Sequence, residues 1–151
     1  MRTFADYLAL IAATLWVGGL WAIGYLAVPL LFSHLGDKQL AGMMAGRLFS
    51  AMAYVGLISG TYLLLLRFAR CGGSAVKQAF FWVLVSMLAL TLAQLFGIQP
   101  LMNALKAQAL PLDVMHSVFR DRFAAWHGIS SIAYLLQSLL GLALLRLANS
   151  R

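Results

Sequence analysis

Four stretches of this chain contain no Asp, Glu, Lys or Arg: Tyr7–Gly36, Leu48–Leu66, Gln78–Leu105 and Phe123–Leu145. Their lengths are 30, 19, 28 and 23 residues, together 100 of the 151. A helix needs roughly 20 apolar residues to cross a hydrocarbon core about 30 Å thick. Only helices and closed barrels satisfy their own backbone there. The pattern predicts an all-α integral membrane protein, a four-helix bundle in a single domain, 1–151, with spans at about 7–33, 48–66, 78–105 and 123–145. Composition agrees, since 63% of residues are hydrophobic and only 10% charged. That leaves too much apolar surface for a water-soluble globule.

The charges that remain lie between the spans. There are eleven Lys and Arg, four acidic residues and no Glu, for a net charge of +7. In a soluble chain this excess would suggest nucleic acid. Here it flanks spans, so the bilayer is the expected partner and nucleic acid is not. The first run is about twice a signal-peptide core in length and is read as a retained span. A lone cysteine, Cys71, excludes an intramolecular disulfide. Arg2, Arg67, Arg70, Lys77, Arg146 and Arg151 share one membrane side, against Lys38, Arg47, Lys106, Arg120 and Arg122 on the other. Six against five favours cytoplasmic termini.

The connections differ in character. Arg67–Lys77 reads as a turn broken by Gly72-Gly73. After Asp37, a plausible helix cap, Leu40, Met43 and Met44 follow helical spacing; after Pro111, Leu112, Met115 and Phe119 share a helical face. Short interfacial amphipathic helices are therefore expected between spans one and two and between spans three and four. The arrangement also hints at an internal parallel repeat. Pro29 and Pro100 each stand twenty-third in a charge-free run. Both long runs must tilt, or bend at these prolines.

Polar side chains inside a span need a reason. His127, Ser130, Ser131, Tyr134 and Ser138 fall on one face of the fourth span, and the third offers Gln94 and Gln99. Helical rise puts Gln99 at the depth of His127 and Gln94 at that of Gln137, so these pairs are candidates for interhelical hydrogen bonds. Gly56 and Gly60 form a G-x-x-x-G packing motif, a candidate homo-oligomer face. His34, His116 and His127 all fall on one side of the membrane, with Met43, Met44, Met102 and Met115. Imidazole and thioether suit copper, imidazole with carboxylate suits zinc, and two histidines suit haem. These three histidines are the candidate cofactor ligands, although no pair has a tight ligand spacing. Trp16 and Trp21 lie too deep for an interfacial belt and are expected between helices. No nucleophile–base pair, phosphate loop or carboxylate dyad is written in the chain, so catalysis is not expected.

Leu15-Trp16-Val17-Gly18 through Val28-Pro29, then Ala45-Gly46-Arg47-Leu48-Phe49, and Phe123 through His127-Gly128 resemble the transmembrane-protein-205-like domain family over nearly the whole chain. The resemblance implies a small bacterial inner-membrane protein of four spans whose function is not established. Bacterial members carry Asn-Leu shortly after the histidine, where this chain has Tyr134-Leu135. The architecture is also similar to the copper-resistance D family and to HemJ-type protoporphyrinogen oxidases. The latter keep a functional histidine in the first span, which this chain lacks. Three functions stay open: a non-catalytic module that assembles with itself or other membrane proteins, a haem- or copper-binding protein built on His127, and a small-solute transporter.

Overall fold

The computed structural model describes residues 3–110 and 112–149, and every regular element among them is helical. Four long helices account for nearly all of it: α1 (Phe4–His34), α2 (Lys38–Cys71), α3 (Ala79–Ala109) and α4 (Arg120–Asn149). All four are long and apolar enough to cross a membrane. They run up, down, up and down. Each packs against the next in sequence, and α4 closes the ring onto α1. The all-α four-helix bundle is as the charge-free runs predict, and both described chain ends lie on one face.

Local chemistry sets the boundaries. The Asp6 carboxylate accepts from the Thr3 amide and hydroxyl, both at 2.8 Å, and caps α1. Asp6 is also ion-paired with Arg70, which binds the end of α2 to the start of α1. Asp37 caps α2, its Oδ1 accepting from the Gln39 and Leu40 amides at 2.8 and 3.1 Å. α2 ends at Gly72, whose φ of 53° favours glycine. The Gly72–Lys77 connection is a 3-10 turn held by the Trp82 indole donating to the Val76 carbonyl at 2.9 Å.

Two expectations change form. The amphipathic segment after Asp37 is no separate helix; it is the start of α2, because no proline lies between Lys38 and the span and the helix runs on through Gly42 and Gly46. Between α3 and α4 the described residues form only a three-residue 3-10 turn, Val114–His116, opened by Asp113 accepting from the Met115 amide at 3.1 Å. Pro111, the expected start of a helix there, lies outside the described residues.

Neither long helix breaks at its proline. Each instead widens into a π-helical turn just before it, at Ile23–Ala27 and at Ala93–Ile98. Proline has no N–H, and its ring crowds the carbonyl four residues back; a wider turn relieves that contact. The two sites match in detail. The amide before each proline, Val28 and Gln99, donates to the carbonyl of Ile23 and Gln94 respectively, with the same offset between the copies. The repeat in the sequence is thus also a repeat in backbone geometry.

The main core fills the half of the bundle nearer the termini, and a smaller cluster of Leu105, Ala109 and Val114 sits at the opposite end. Trp16, Leu84, Met87 and Leu144 are fully buried, with Val17, Leu20, Met52 and Leu63 around them. Gly56 and Gly60 are buried as well and face Trp16: a Cβ on Gly56 would lie 2.4 Å from the indole Nε1, and one on Gly60 would lie 2.7 Å from its Cζ3. Within the bundle, the G-x-x-x-G motif is a seat for a tryptophan of the same chain. Small residues let a large ring approach the α2 backbone, and the indole N–H is left without an acceptor.

Candidate functional site: a cavity in the other half of the bundle

The half of the bundle on the histidine side is hollow. A cavity of about 930 Å³ runs from a floor at Leu20, Met52, Thr91 and Gln137 toward a mouth at Lys38, His116 and Arg120. All four helices and the Val114–His116 turn line it, as do residues of both π-turns.

α4 supplies more of the polar lining than any other helix. The Gln137 amide donates to Thr91 Oγ1 at 2.7 Å, and Thr91 passes its own hydrogen to the Met87 carbonyl at 2.8 Å. Two turns of α4 nearer the mouth, Ser130 donates to Gln94 Oε1 at 2.7 Å. The hydroxyl of Tyr134 donates to the Leu20 carbonyl at 2.6 Å and takes a backbone hydrogen bond from Gly24. Leu20 and Gly24 are the pair an unbroken α-helix would join directly. The phenol stands in for that bond at the mouth of the π-turn. It reaches there because Gly24 has no side chain; a Cβ would lie 2.3 Å from the Tyr134 ring. Phe49 and Tyr25 pack edge-on against the same ring, at 5.1 and 6.3 Å between centroids. Tyr25 donates to Ser138 at 3.1 Å, and Ser138 to the Tyr134 carbonyl at 2.9 Å.

The expected stripe is thus brought to the cavity at His127, Ser130, Ser131 and Tyr134, whereas Ser138 is buried outside its lining; Ser131 is largely exposed and bonds back to the His127 carbonyl of its own helix at 2.8 Å. Gln94 and Gln137 reach Ser130 and Thr91 instead of each other, because both sit opposite a hydroxyl on the neighbouring helix. Gln99 is buried in the cavity wall but forms no hydrogen bond to His127, whose ring stacks on Phe123 at 5.9 Å. His116 and His127 both line the cavity. His34 does not, and its Nδ1 lies 2.8 Å from Ser33 Oγ and 3.1 Å from the Leu30 carbonyl. Among the described residues no three His, Cys, Asp or Glu side chains come together as ligands for a metal ion.

Two participants escaped the sequence reading. Thr91 looked like an ordinary span residue. Lys106 looked like a charge at a span end, yet it is half-buried in the cavity wall, donating to the Gly42 carbonyl at 3.2 Å and lying 5.6 Å from the Phe123 ring centroid. Its distance of seven residues from Gln99, two helical turns, was the one signal that put it on the same face.

The membrane-embedded architecture and the paired proline turns now have a family context. No curated protein and no solved structure is similar enough to match. One family does match, over residues 11–111, a segment holding both proline turns and Lys106 but not α4; it is described as a domain of unknown function, and the chain belongs to this family, DUF4149.

Proposed function

We propose that this multi-pass membrane protein binds an amphipathic small molecule inside its bundle. The observation that carries the reading is the cavity itself: about 930 Å³, walled mainly by apolar side chains and floored by hydrogen-bonded Thr91, Gln94, Ser130 and Gln137. Ligand sites have this size and this mixture of an apolar wall with few polar groups. In this reading the protein sits in a bacterial inner membrane with its termini in the cytoplasm, and its resemblance to transmembrane-protein-205-like domains belongs to the same picture. The test is organic extraction and mass spectrometry of protein purified gently in detergent, beside Ala53→Phe, which projects a ring into the void. Wild type should carry a bound amphiphile that the folded variant lacks. An empty wild type, or equal loading of both, would end the proposal. Cys71, the sole cysteine, lies at the terminus-side end of α2 and reports orientation. A membrane-impermeant maleimide should fail to label it in intact spheroplasts and succeed after lysis.

A second reading has its own support. His116, His127, Met102 and Met115 line this one cavity, so a haem held by His127, with cationic residues at the mouth for its carboxylates, fits better than a bare copper ion. Bound haem would supply redox or gas-binding chemistry. A Soret band lost in His127→Ala supports it, and a colourless wild type rejects it.

A further inference from the structure

A second, smaller pocket of about 320 Å³ lies on the seam between α2 and α3, lined by Met43, Gly46, Arg47, Ser50, Asn103 and Lys106. Three of these, Gly46, Ser50 and Lys106, also line the main cavity. The two spaces therefore share a wall, near the charged end of both helices and on the side that faces lipid.

The charges in that wall are unbalanced. The half-buried Lys106 ammonium has three donors and one acceptor, the Gly42 carbonyl. Asp113 is the nearest carboxylate acting on it, but its Oδ1 is engaged by the Met115 amide and the two residues form no ion pair. Arg47 has no hydrogen bond or ion pair to any described residue. Arg47 stands exposed at the pocket rim, whereas Lys106 is partly withdrawn from solvent, where a charge is costly unless a counter-ion meets it. Basic pockets between spans bind anionic lipid headgroups on the cytoplasmic side of membranes; the same charge pairing operates here at the face opposite the termini, where the headgroups of the other leaflet lie.

We propose that the occupant is an anionic phospholipid, one whose phosphate carries no cationic partner of its own, entering sideways between α2 and α3. Its phosphate rests on Arg47, Lys106 and Asn103, and its chain passes Gly46 and Ser50 into the main cavity. This rests on the amphiphile reading above and names its ligand class. Gly46 is the threshold: a Cβ there meets nothing within 4 Å, so a side chain would fill the portal without disturbing the packed core.

The experiment measures binding of phosphatidylglycerol and phosphatidylcholine with identical chains to the whole protein in neutral detergent, by native mass spectrometry. Phosphatidylglycerol should bind at least about fivefold more tightly, the worth of one nearby basic residue at about 1 kcal/mol. Lys106→Gln and Arg47→Gln should each erase that preference, and Gly46→Phe should block both lipids. Arg146→Gln, at the other end of the bundle, should change nothing. Equal binding of the two lipids, or an equal loss in Arg146→Gln, overturns the headgroup assignment. Soluble glycerol phosphate displacing phosphatidylglycerol completely would overturn the lipid source. The Ala53→Phe protein separates the two levels. If it loses a neutral monoacylglycerol while Lys106→Gln keeps its lipid ratio, the cavity stands and the headgroup site falls; if it loses nothing, the cavity reading itself fails.

Discussion

The two halves of this bundle are built from the same four helices and from similar apolar sequence, yet one is solid and the other hollow. Near the termini, Trp16 fills the centre and two glycines of α2 fall back to admit it. On the histidine side no comparable ring occupies the axis. The large side chains there, Phe49, Tyr134 and Phe123, stand in the wall and pair with one another or with His127. In a bilayer, apolar residues gain little by facing one another instead of lipid; close packing and polar contacts decide which helices touch. The solid half is held by packing, and the hollow half by hydrogen bonds across the cavity together with a small apolar cluster at its end. A void can persist where polar cross-links hold its walls apart.

The largest expected effect breaks the solid half. Gly56→Leu drives a side chain into the indole and should destabilise the bundle by about 1–3 kcal/mol or more, as overpacking does. The check is reversible unfolding in mixed micelles, and retained stability with a changed oligomeric state would establish an intermolecular role for that motif. Next, in the hollow half, Gln137→Leu leaves Thr91 without its donor and should cost about 0.6–2 kcal/mol. Tyr134→Phe removes one bridge at the π-turn and should cost about 1 kcal/mol. Its sharper signature is faster amide exchange at Gly24 with little change near Gly56; uniform loss of protection would mean the phenol supports the whole bundle. Ala53→Phe should leave stability almost unchanged while removing the ligand, the reverse of Gly56→Leu one turn away. Smallest of all is Asp6→Asn, which breaks an exposed ion pair with Arg70. Its unfolding midpoint should coincide with wild type at high salt.

The solid half was the more legible one. Charge-free runs locate all four helices, and the longest discrepancy, the ten residues from Lys38 to Arg47, arises because charged residues at an interface do not stop a helix. The depth argument assigned Trp16 rightly to packing between helices but not Trp21, which is exposed and meets the Tyr25 ring of its own helix instead. The polar stripe on α4 was legible from spacing alone, but its partners were not. Helical rise gives depth and leaves rotation free, so Gln94 and Gln137 seemed matched when each in fact met a hydroxyl. The cavity could not be read from the sequence at all, being a statement about where side chains are absent. Lys106 was hidden for the related reason that a basic residue at a span end has an ordinary role in anchoring.

The π-turns carry a consequence for how such a chain can change. A π-turn holds one residue more than the α-turn it replaces, so each long helix stores a single surplus residue ahead of its proline. Deleting one residue between Ile23 and Ala27 would let α1 close into regular helix and rotate everything from Pro29 to His34 by about 100°. Phe32 would swing out of the cavity wall and the carbonyl now met by Tyr134 would recover its own amide. The angular phase between the two ends of the helix thus hangs on one codon, and the second copy before Pro100 holds the same setting in α3.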